Sequence, residues 1–153
     1  MANKDAAFGF RPTRHLSGGQ MRTEEYAIAA NYGSDIFTGQ VVEAVAAGGI
    51  EQAAAGDTQQ LGVFGGCFYT DPTTSKPTFA NHYSQVNASD ISAFVADDPY
   101  ERFEIQSNKT TAHGQTDVFM NFDIEVTAGD SANFVSKSEL KHSTATTGTA
   151  QIK

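Results

Sequence analysis

The sequence has no tryptophan and one cysteine, Cys67, in 153 residues. A single thiol excludes an intramolecular disulfide and gives no sign of an oxidising compartment. Charged side chains make up 18% of the chain, below the ~25% usual for globular domains. No apolar run nears the ~20 residues of a membrane span. The N-terminus lacks the apolar core of a signal peptide. HExxH, CxxC, GxGxxG, a Walker glycine loop and a GxSxG elbow are all missing, and SGGQ is too short for a phosphate loop. No solenoid-type repeat is present. These absences predict a non-enzymatic protein made and kept in a cytoplasm, with no cofactor, no bound metal and no membrane partner.

What is present favours strands and turns. Glycine, serine, threonine and asparagine are plentiful, and phenylalanine occurs 11 times. Residues 21–30 read as a short helix or a first strand. NYGSD is turn chemistry, followed by the β-prone IFTGQVVEAV and the short IEQAA. LGVFGGCFYT carries three glycines inside a β run, which predicts a bulge or a close backbone approach. TFANHYSQV, ISAFVA and ERFEIQ read as strands, the last two alternating in and out. VFMNFDIEV gives the longest period-2 signal, with Val118, Met120, Phe122, Ile124 and Val126 on one face. FVSKSEL is another short strand. TATTGTAQIK stops in mid-strand and reads as a chain that continues past Lys153. Short strands every ~8–12 residues predict an all-β fold, a compact barrel or sandwich over residues 21–153.

Residues 1–20 stand apart as an extended arm. FGFRPTRHLSGG, Phe8 to Gly19, is broken for helix by Pro12 and by Gly18–Gly19. Residues 1–22 hold Lys4, Arg11, Arg14 and Arg22 against Asp5, a net of +3, whereas the remainder carries six basic and seventeen acidic side chains, a net of −11. The acidic body repels nucleic acid and leaves only the arm, through Arg11, Arg14 and an aromatic, as a competing single-strand contact, so nucleic acid is not an expected partner. Ordering backbone costs about 1–2 kcal/mol per residue, more than burying Phe8, Phe10 and Leu16 returns. The arm therefore needs a sheet edge or charge-assisted bonds, and it is predicted to be disordered alone and ordered against another protein surface. Fully extended, it reaches about 66 Å, far enough to cross onto a neighbouring subunit. The predicted partner contacts are Phe8, Phe10, Arg11, Arg14 and Leu16, with Gly18 and Gly19 as the hinge.

Two chemical readings compete with a purely structural one. Cys67 would act as a nucleophile, in a thiol hydrolase, with His82 or His113 as base. A glycine-rich strand offers no electropositive setting for a thiolate, which favours a buried structural cysteine. Asp97, Asp98, Glu101 and Glu104 cluster around Pro99, but their spacing matches no Ca²⁺ loop and reads as an acidic turn. His15, His82, His113 and His142 show no ligand spacing.

The start MANKDAAFGFRPTRHLSGG, the segment GQVVEAVAAGGIEQAAAGDTQQLGVFGGCFY and the segment VADDPYERFEIQ resemble the head decoration, or capsid cement, proteins of tailed bacteriophages. The resemblance covers most of residues 1–106. It places Gln40–Val41–Val42 at the entry of a strand, a turn at Gly56–Asp57 and a return along Leu61–Phe64. It implies a structural virion protein on the outer capsid surface, clamping neighbouring major capsid proteins. It also implies contact with copies of itself, a homotrimer ahead of a dimer, and no enzyme activity. A tail or neck component of similar architecture is the alternative within virions.

Overall fold

The computed structural model describes residues 4–57, 59–148 and 150–152. Among these residues the fold is almost entirely β, with antiparallel sheets and one short 3-10 turn at Gln115–Asp117. The largest sheet has six strands. Its main path runs β2 (Glu24–Ala27), β9 (Ser92–Ala96), β6 (Gln60–Thr70), β4 (Val41–Ala44) and β5 (Ile50–Gln52). Strand β7 (Pro77–Ala80) pairs with β6 beyond the end of β4. Three two-stranded sheets accompany it. These are β1 (Arg11–His15) with β10 (Glu101–Glu104), β3 (Ile36–Phe37) with β8 (His82–Tyr83), and β11 (Asn121–Glu125) with β12 (Glu139–Thr146).

Alternation along the central strands divides the interior in two. Val42, Phe64, Cys67, Ala93 and Val95 face one cluster, completed by Ile36 and Tyr83 from β3–β8 and by Ile28, Ile50, Ala88 and Ile91. Val41 and Val63 face the other, where they meet Phe10, Ala53 and Ile124, with Phe103, Ile105, Val126 and Ile152 around them. The two small sheets β1–β10 and β11–β12 thus cover the second face of the large sheet. The arrangement is sandwich-like. The barrel alternative is corrected: no sheet closes on itself among the described residues. The outer strands come near each other where a Cβ on Gly49 would lie 2.8 Å from the Ala27 carbonyl oxygen. One glycine–carbonyl contact does not make a ladder.

The glycines of β6 act as the sequence predicts. Phe64 pairs with Val95 and Gly66 with Phe94, so Gly65 is the extra residue of a bulge. TFANHYSQV is split into β7 and β8 at Asn81, and residues 24–27 form a strand, not a helix. Val41 enters β4, Gly56 sits in a turn with φ +94°, and β6 returns through Leu61–Phe64.

Three expectations are corrected. Strand β11 begins at Asn121, not Val118, because Phe119 has φ +67° and breaks the alternation. FVSKSEL is not a strand along its length: Phe134 is left-handed, and the ladder begins at Glu139. The arm is ordered by its own chain. Strand β1 lies antiparallel to β10, and a bulge accommodates Thr13, whose Oγ1 donates to the Arg102 carbonyl at 3.0 Å. The sheet edge that the entropy argument requires is therefore supplied from within the molecule, some ninety residues away in sequence.

Candidate functional site

The arm enters the body at Gly9, which has φ +69°. The next residue, Phe10, donates its N–H to the Gly39 carbonyl at 2.9 Å and is only 6% exposed. Its ring meets Phe103 edge-on, with centroids 6.2 Å apart. Phe10 is thus an anchor in the protein's own core, which corrects its expected role as a contact to a partner. Phe8 is half-buried beneath the Arg11 guanidinium, whose carbon sits 4.3 Å from the ring centroid. Arg11 also lies 3.9 Å from Glu104, an exposed pair that contributes little to stability.

Arg14 and Leu16 remain on the surface. The Leu16 N–H donates to the Tyr100 carbonyl at 2.9 Å, and both side chains are exposed. His15 is held by Asp98 at 3.1 Å and edge-on to Tyr100. Gly18 and Gly19, the expected hinge, form the exposed turn that leads toward β2. Both have positive φ and open space around them.

An exposed aromatic patch lies on the large sheet, where the small sheets do not reach. Phe68 and Phe79 face each other across β6 and β7, and Phe79 contacts Phe94 of β9 with centroids 6.1 Å apart. Phe68 is 42% and Phe79 63% exposed. Gly66 lies between Phe79 and Phe94: a Cβ there would sit 3.0 Å from the Phe79 ring. The glycine therefore lets one aromatic side chain reach across the middle strand to another. Glu25, opposite Phe94, and Asp90, which accepts the Thr70 N–H, give the patch an acidic rim. The sequence shows each phenylalanine but not their meeting, which needs the β7–β6–β9 register.

The thiol reading finds no activating geometry. Cys67 is fully buried and donates to the backbone carbonyl of His82 at 3.3 Å, not to its ring. Burial pushes its thiol up to about 11, away from thiolate character at neutral pH. The His82 ring is stacked on Phe134 with centroids 3.8 Å apart. The acidic turn diverges instead of converging on a cation. Asp97 accepts the Tyr26 hydroxyl at 2.5 Å, Asp98 accepts the Tyr100 N–H at 2.8 Å, and Glu104 faces Arg11.

One cluster was invisible in the spacing of the histidines. His113 and His142, from a loop and from β12, converge on Asp117. Asp117 Oδ2 accepts from Lys109 Nζ at 2.7 Å, from His113 Nδ1 at 2.8 Å and from the Gly114 N–H at 3.1 Å. Lys109 first, then the Gly114 N–H and the two imidazoles, hold this carboxyl far below the usual carboxylate range. Phe122 touches both rings, edge-on to His113 and tilted against His142.

In comparisons with known proteins, no family model matches the chain, no curated protein matches it, and no solved structure matches its fold.

Proposed function

We propose that this protein is a structural virion component that binds the outer surface of a tailed-phage head and cements neighbouring major capsid proteins. The observation that supports a binding role is the uncovered aromatic face of Phe68, Phe79 and Phe94. Aromatic side chains of this kind supply large contact area at low entropic cost and are enriched in the cores of interfaces. The capsid as partner follows from the likeness of residues 1–106 to phage decoration proteins. The net charge of −8 suits a capsid exterior, away from packaged DNA.

Self-association accompanies this role, as a homotrimer in preference to a dimer. The exposed Arg14 on the positively charged N-terminal segment complements the acidic body of a second copy. Binding then comes from several shallow contacts linked through the oligomer, each raising the effective concentration of the next. Leu16, Arg11 and Arg14 contribute from the surface of β1 and its following turn, and Phe8 from beneath Arg11.

Co-sedimentation of the purified chain with undecorated heads tests the reading. The expected outcome is saturable binding at a copy number approaching that of the major capsid protein. Association with tails or necks alone, or none with heads, overturns it. Light scattering of the free chain reads the oligomeric state separately.

A further inference from the structure

We propose that His113, Asp117 and His142 form a binding site for a divalent transition cation of the zinc class, which clamps the loop around residues 109–117 onto β12. One donor atom from each residue lies within 4.8 Å of the other two. Two imidazoles and a carboxylate are a donor set that zinc accepts, leaving a fourth position open. Imidazole nitrogen selects such ions over calcium or magnesium, which require oxygen cages.

A second observation points to a missing ligand. His142 Nε2 is buried and, among the described residues, has no partner in hydrogen-bond geometry. It lies 3.5 Å from Asp117 Oδ1, the carboxylate oxygen that Lys109 and His113 leave open. A buried polar atom without a partner is costly in a native protein and calls for an explanation. A cation between Nε2 and Oδ1 satisfies both atoms at once.

The surroundings suit the same occupant. Lys109 Nζ on Oδ2 orients the carboxylate from behind, as an outer-shell partner does. Phe122, 8% exposed, supplies an apolar wall, and an open depression of ≈330 Å³ lined by Ile105, Ser107 and Val118 beside the cluster gives an entry path. Tetrahedral zinc spaces its donors by about 3.4 Å, close to the 3.5 Å between His142 Nε2 and Asp117 Oδ1. This inference stands on the cluster alone and is independent of the capsid reading.

Isothermal titration of the full, untagged, chelator-treated chain with zinc chloride is the test. The expected result is one ion per chain, with a melting temperature that rises with zinc concentration. His142→Ala and Asp117→Asn are each expected to weaken binding by about tenfold or more, because even outer-shell losses cost that much. His82→Ala, which removes a stacked histidine outside the cluster, is expected to bind as the parent does. Histidine ring NMR on the unsubstituted chain guards against variants that fail to fold. Zinc is expected to shift the His113 and His142 resonances and leave those of His15 and His82 in place. No uptake, uptake unchanged in both cluster variants, or shifts spread over all four histidines overturns the proposal.

Discussion

Gly9 and Gly39 meet backbone to backbone. A Cβ on Gly9 would lie 2.7 Å from the Gly39 carbonyl oxygen and 2.7 Å from Ser136 Cβ. Gly39 in turn joins the arm to the large sheet, accepting from the Phe10 N–H and donating to the Phe64 carbonyl, both at 2.9 Å. Gly9→Ala is therefore expected to cost about 2 kcal/mol or more, from left-handed strain together with overpacking against backbone. Gly18→Ala has the same strain but open space, and is expected to cost only about 1 kcal/mol. Urea denaturation of the two variants checks the difference. Equal losses would mean that the arm is not docked at Gly9.

The elements that were legible in the sequence are those whose signal is local. ISAFVA alternates, and Ala93 and Val95 do face the core. The glycines of LGVFGGCFYT do mark a bulge. The docking of the arm was not legible, because its balance depends on β10, an edge that only tertiary structure brings alongside. Strand β12 was legible only at its ends, where FVSKSEL and TATTGTAQIK overlap it, and its continuity was hidden for a different reason. ELKHSTAT is polar, and its ladder rests on pairing with β11, with backbone bonds doing what apolar alternation does elsewhere. The meeting of His113 with His142 is a consequence of that pairing. The break before β11 was hidden because Phe119 looks like a strand residue, and only its backbone angle reveals the turn.

Phe10 links the arm to the second core cluster, so its removal is expected to act on folding. Phe10→Ala should destabilise by about 3–5 kcal/mol, the range for deleting a buried aromatic ring. Deletion of residues 1–20 removes the β1 ladder as well and should cost more. A thermal melt of each checks this. A truncated chain that melts like the parent would show that the arm is a detachable tail and would restore its expected role as a partner-ordered segment. Decoration assays on the truncated protein are interpretable only beside that melt.

The aromatic patch predicts the opposite pattern. Phe79 is the most exposed of its three rings, so Phe79→Ser loses little packing and is expected to leave stability within about 1 kcal/mol. If the patch is the docking face, the same change lowers occupancy on heads roughly tenfold or more, as loss of a central aromatic contact does. Co-sedimentation and a melt of the same preparation separate the two effects. Full occupancy with Phe79→Ser would move the binding face elsewhere, with the Leu16–Tyr100 surface next to test.

Cys67 gives a prediction in pH. Its ordinary thiol value is 9.0, and burial raises it to about 11 in the folded chain. The raised value means that folding favours the protonated thiol. The corresponding stability is fully present below pH ~9 and is lost as pH rises toward 11, because the unfolded chain releases its proton first. Tyr26, raised to about 12 by its hydrogen bond to Asp97, contributes a slope of the same sign at higher pH. The difference between the parent and Cys67→Ala isolates the thiol, and the parent should lose stability more steeply between pH 9 and 11. At pH 8 the native thiol is expected to resist a disulfide reagent and to react once urea unfolds the chain. Rapid labelling of the folded protein at pH 8 would mean that the thiol is reachable and ionised. The structural role of Cys67 would then give way to the hydrolase reading.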